Sequence, residues 1–162
     1  MLSLLLLLNT LLGDRPRVVT VCELMKDLKS FNGKILAVRG ELSTGPEEFT
    51  VRDDKCGYRL VTEGHSWPCA LWLTPPGGLA ETPVNFRVDE TAFRQFWATV
   101  NEARAKRKSA RVVATFVGKL ETRTRFYGGP GANSPWIGNG FGHLNAYPGQ
   151  VVLQTVKDVL IE

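Results

Sequence analysis

Histidine is almost missing from this chain of 162 residues, which has only His65 and His143. Two histidines and no nucleophile-elbow motif give hydrolase chemistry little to work with, because a nucleophile needs a base in reach and a group to orient it. There is no GK[ST] phosphate loop. Gly138-x-Gly140-x-Gly142 is not a dinucleotide fingerprint, since a proline and then a strand follow it where a helix is required. Three cysteines are too few for a disulfide-built mini-protein. Cys56, His65 and Cys69 lack zinc spacing and a fourth ligand, so no metal and no cofactor are expected. No apolar run reaches the roughly 20 residues needed to span a bilayer.

What is present is ordinary globular material. Apolar residues make up 43% and charged residues 22%. That composition excludes wholesale disorder, collagen-like repeats and a coiled coil, and the length suits one domain. The formal charge of +4 is uneven. Residues 101–125 hold eight basic and two acidic side chains, leaving twelve basic and fourteen acidic elsewhere. Such a stretch can meet a polyanion, or it can be a solvated helix end.

Eight of the first twelve residues are leucine, and none of the twelve is charged. The run matches the apolar region of a signal peptide, without a basic residue before it or an A-x-A-like site after it. Residues 1–13 are expected to be a signal peptide, 14–19 a linker and 20–162 a single domain. The protein is then exported, to the periplasm or beyond.

Spacing of apolar residues predicts a short helix over Val21–Phe31, with Thr20 and Glu23 as its capping box and Asn32-Gly33 as its end. Strands are expected at Lys34–Ser43, Glu48–Arg52, Trp67–Leu73, Arg111–Leu120 and Val151–Ile161. A longer helix is expected at Asp89–Lys106. Gly40 and Gly118 inside strands mark bulges or bends. Five strands with a helix between the third and fourth is the order of the OB-fold, a Greek-key barrel, so the expected class is mainly β with α. Glu41, Glu47, Glu48, Asp53 and Asp54 read as solvated turn residues.

Residues 126–149 contain seven glycines, three prolines and five aromatics, and no Asp, Glu, Lys or Arg. A loop of this length usually has a role. Phe126, Tyr127 and Trp136, with Arg123 and Arg125, are the expected ligand-binding residues. Phe141, His143 and Tyr147 are expected to be structural, flanking a sharp turn before the last strand. Spacing leaves the disulfide open. Cys56 and Cys69 end and begin consecutive strands, and that pair is the first expectation; Cys22–Cys56 is its rival.

Cys22-Glu23-Leu24, Phe31-Asn32-Gly33-Lys34 and Val38-Arg39-Gly40, with Phe141-Gly142-His143-Leu144 and Ala146-Tyr147-Pro148, resemble a group of exported bacterial OB-fold-like proteins of unknown function. The resemblance covers most of residues 20–160. It implies the fold and export, implies no catalytic residue, and favours the Cys22–Cys56 pairing. The resulting expectation is a non-enzymatic exported binding module whose partner is a protein or cell-envelope polysaccharide. A single-stranded nucleic-acid binder is the alternative, because OB-folds suit single strands and the basic stretch suits phosphates. An enzyme is the third reading.

Overall fold

The structure, a computed structural model, describes residues 16–62, 64–75, 86–123 and 140–162. It is mainly β, with two α-helices. Strand β1 (Val18–Thr20) runs directly into helix α1 (Val21–Lys26). Thr20 Oγ1 accepts from the Glu23 amide at 3.1 Å, and Glu23 Oε2 accepts from the Thr20 amide at 2.7 Å. The capping box therefore satisfies two helix-start donors at once. The expected helix to Phe31 breaks at Asp27, which leaves helical geometry at φ −149°. A 3-10 turn (Leu28–Phe31) continues the buried face through Leu28. Gly33, at φ +76°, then reverses the chain.

The five expected strands are present with shifted ends: β2 (Ile35–Gly45), β3 (Glu48–Arg52), β6 (Ala70–Thr74), β7 (Val112–Thr122) and β8 (Gly149–Ile161). A small hairpin of β4 (Val61–Thr62) and β5 (His65–Ser66) was not expected. Residues 18 and 19, expected in a linker, belong to β1, which pairs in parallel with β2. Three residues are too few for the sequence pattern to reveal a strand. Helix α2 (Glu90–Lys106) follows β6 in the chain, and Asp89 caps it through a 3.0 Å bond from the Ala92 amide.

The pairings close on themselves. β2 pairs antiparallel with β3, and β3 antiparallel with β6. β6 pairs in parallel with β8, and β8 antiparallel with β7. β7 returns antiparallel to β2. β2 serves both halves because residues 35–41 pair with β7 and residues 41–45 with β3. Gly40 stands at that change of partner. A Cβ there would lie 2.6 Å from Val51 Cγ2 and 2.8 Å from the Arg52 carbonyl. Gly118 stands at a register shift in β7, where a Cβ would meet the Val152 carbonyl at 2.2 Å. Both glycines are needed because a neighbouring strand fills the space a side chain would take.

Val38, Val51, Leu71, Leu73, Phe116, Leu120, Val151 and Leu153 fill the interior of this ring. Helix α2 buries Phe96 and Val100 against it, and Phe93 and Trp97 pack at the edge. α1 adds Leu24 and Met25. No helix among the described residues is long and apolar enough to cross a membrane.

Candidate functional site

Successive side chains on a strand point to opposite faces. With Val51, Leu71 and Leu73 in the core, the outer face of β3 and β6 carries Glu48, Thr50, Arg52 and Trp72. Thr50 stands opposite Trp72 in the ladder. The segment 140–148 folds over this face. Phe141 and Tyr147 exchange backbone hydrogen bonds of 2.7 and 3.2 Å. Tyr147 packs on Trp72 with ring centroids 5.6 Å apart. Gly142, at φ +71°, lies flat on the indole, where a Cβ would fall 2.4 Å from the ring. Leu144 and Asn145 also take positive φ to complete the reversal. His143 Nε2 lies 3.0 Å from Glu47 Oε2, linking this turn to the β2–β3 turn.

Beside this turn, at the far end of β3, opens a cleft of about 410 Å³. Glu48, Arg52, Asp53, Asp54, Tyr58, Arg59 and Tyr147 line it, with Trp67, Cys56 and Cys69 in its wall. Tyr58 is 37% exposed. Arg52 Nη2 reaches Asp54 Oδ2 at 3.3 Å and Glu41 Oε1 at 3.1 Å. Its Nε is buried without a hydrogen-bond partner among the described residues. Burial, then the nearby Glu48 carboxylate, pushes the Tyr147 hydroxyl above its usual pKa. The cleft thus combines aromatic surface with charged groups of both signs, the makings of a polar ligand site. A second, more apolar groove of about 510 Å³ lies between α2 and the β2–β3 turn, around Phe49, Phe93 and Trp97.

The pairing expected first for Cys56 is corrected by the structure. Cys56 bonds Cys22, with Cα atoms 5.3 Å apart, and Cys69 is free. The ladder register gives the reason. Arg52 pairs with Ala70, and the Asp53 amide donates to the Cys69 carbonyl at 3.1 Å. Asp53, not Cys56, therefore stands opposite Cys69, and the following turn carries Cys56 to α1 while leaving its sulfur within 4.8 Å of the Cys69 sulfur.

Of the expected ligand residues, Phe126, Tyr127, Arg125 and Trp136 lie outside the described residues. Arg123 is described, and its guanidinium sits 4.9 Å from the Phe141 ring centroid, a cation–π contact. The acidic residues are not uniform turn residues as expected. Glu41 lies within β2 with its side chain 13% exposed, because Arg52 and Arg111 both reach it. Glu48, Asp53 and Asp54 line the cleft. Tyr58 and Arg59 escaped the sequence reading altogether. Their signal was the charged run Arg52-Asp53-Asp54-Lys55 leading into Tyr58-Arg59 between two strands.

Much of the basic stretch has partners within the chain. Arg111 bonds Glu41 and Glu162, Lys106 bonds Glu102, and Lys119 bonds Glu121. Arg104 donates to Thr44 Oγ1. The chain matches no protein-family model, no curated protein and no solved structure.

Proposed function

We propose that this chain is an exported, non-enzymatic binding module built on an OB-fold barrel. The closed run of pairings β2–β3–β6–β8–β7, with β6 and β8 parallel, supports that fold. The leucine-rich start and the Cys22–Cys56 disulfide support export, because disulfides persist in oxidising compartments.

The observation that carries the reading is the cleft on the β3–β6 side, where an OB-fold binds its ligands. Its partner is a protein or a cell-envelope polysaccharide. Exposed Tyr58 beside Asp53, Asp54 and Arg59 favours the polysaccharide, since an aromatic face and planar polar groups suit a sugar ring and its hydroxyls. Nucleic acid fits less well: Glu48, Asp53 and Asp54 would repel phosphate, and Arg111 and Lys119 are already paired with carboxylates. An enzyme fits less well again. His143 pairs with Glu47, and His65 lies edge-on to Trp67 at 4.5 Å. Neither is hydrogen-bonded to a serine or cysteine among the described residues.

Glycan and oligonucleotide arrays probed at two salt concentrations test this. Glycan binding that survives high salt, and is lost in Tyr58→Ala at unchanged melting temperature, is the expected result. Oligonucleotide binding abolished by salt would replace it with the nucleic-acid reading. Mass spectrometry of the N-terminus in exported fractions should find a form without the leucines, whereas a cytosolic protein with Met1 intact would remove export.

A further inference from the structure

The three cysteine sulfurs lie within 4.8 Å of one another, although a disulfide uses only two. The third is held beside the bond by the backbone. The Cys56 amide donates to the Asp53 carbonyl at 3.1 Å, and the Asp53 amide donates to the Cys69 carbonyl at 3.1 Å. These bonds fix the Cys56 turn against the start of β6, whatever sulfur Cys56 is bonded to.

We propose that this cluster holds an exchangeable disulfide. The Cys69 thiol loses its proton to solvent, and its sulfur attacks Cys56 Sγ. A Cys56–Cys69 bond forms as the Cys22–Cys56 bond breaks. Cys22 leaves as a thiolate and takes a proton from solvent. One disulfide and one thiol stand on each side of the step, so no oxidant or reductant is consumed. The two pairings open to the sequence are, on this view, two states of one cluster. The first ties α1 to the 53–60 segment. The second ties that segment to β6 and releases α1. Cys56 and Cys69 both line the cleft, so exchange changes what its wall is anchored to.

The surroundings of Cys69 set the pace of the exchange. Burial, then the charges of Asp53 and Asp54, pushes the Cys69 thiol up to about 11. The thiolate is the attacking species, so exchange out of the Cys22–Cys56 state is slow at neutral pH.

The test uses the intact, oxidised chain held native between pH 7 and pH 10, quenched in acid and mapped without reduction. The expected result is a Cys56–Cys69 peptide with Cys22 free to alkylate. Its initial rate should rise about tenfold per pH unit, because the thiolate fraction does so below the thiol pKa. Cys69→Ser should keep Cys22–Cys56 alone at every pH. Wild-type protein that keeps only Cys22–Cys56, with Cys69 alkylated throughout, overturns the proposal. A Cys22–Cys69 product overturns Cys56 as the sulfur attacked. Cys22→Ser, oxidised with glutathione disulfide, should close Cys56–Cys69. Two free thiols in that variant with native circular dichroism also overturn the proposal, and if the variant does not fold, the wild-type map decides.

Discussion

Arg52 belongs to two charged clusters that are built from the same residue types and finish differently. On one side is Glu41, which accepts from Arg52 at 3.1 Å and from Arg111 at 2.6 Å; Arg111 goes on to Glu162 at 2.7 Å. Every charge there meets its opposite, at the point where β2 changes partners. On the other side is the cleft. Asp53, Asp54, Glu48 and Arg59 line it, and Arg52–Asp54 is the one ion pair among them in the described residues. A closed network holds strands in place. An open one leaves charge to meet solvent or a ligand. Composition cannot separate the two, because the difference lies in which side chains the ladder brings together.

The hardest test of the closed side is Gly40→Val. The new side chain would need the space of Val51 Cγ2 and the Arg52 carbonyl at the point where β2 changes partners. Overpacking against backbone costs about 3 kcal/mol, so a large fall in melting temperature is expected in thermal unfolding. A variant as stable as wild type would show that β2 does not need glycine to serve both halves of the sheet.

Glu41→Gln keeps the shape and removes the charge. Burial alone would raise the Glu41 carboxyl, but hydrogen bonds from Arg111 and Arg52 outweigh it and hold the group below its usual 4.5. Hydrogen bonds to charged groups contribute about 1.5–3 kcal/mol, and the partly exposed arginines place this loss at the lower end. The sign against pH follows from the direction of the shift. A depressed folded pKa stabilises above the unfolded value, near 4.5, and that stability is lost as pH falls through the folded value. Denaturant unfolding should therefore separate wild type from Glu41→Gln at pH 7 and bring them together in strong acid. A gap that persists undiminished below the folded pKa would mean the carboxylate charge is not the cause.

The elements were more legible than the site. Apolar periodicity marked α2 and all five long strands, because each has one face in the core. The Thr20–Glu23 box was legible because a cap is a local bargain between residues three apart. The disulfide was not. It depends on ladder register, in which Asp53 takes the place opposite Cys69, and no spacing rule reports that. Glu41 was misread because its partners are 11 and 70 residues away in sequence. Tyr58 and Arg59 stood in a segment with no periodicity to draw notice, while the glycine-rich loop drew it all.

Arg59→Ala gives the smallest expected effect and sharpens the comparison most. Arg59 is exposed and has no ion pair to a described residue, so its removal takes away no packed or paired group. Surface changes of this kind stay within about 0.5 kcal/mol, and the melting temperature should barely move beside the fall in Glu41→Gln. The two variants differ in what they leave behind. Glu41→Gln strands two arginines that were folded around a carboxylate, whereas Arg59→Ala strands nothing in the fold and strips one donor from the cleft. If Arg59→Ala costs as much stability as Glu41→Gln, the cleft charges are scaffolding like their neighbours, and the distinction between the closed and open clusters fails. If stability holds while binding to the glycan found on the array falls, Arg59 contacts ligand and the open cluster is the working surface.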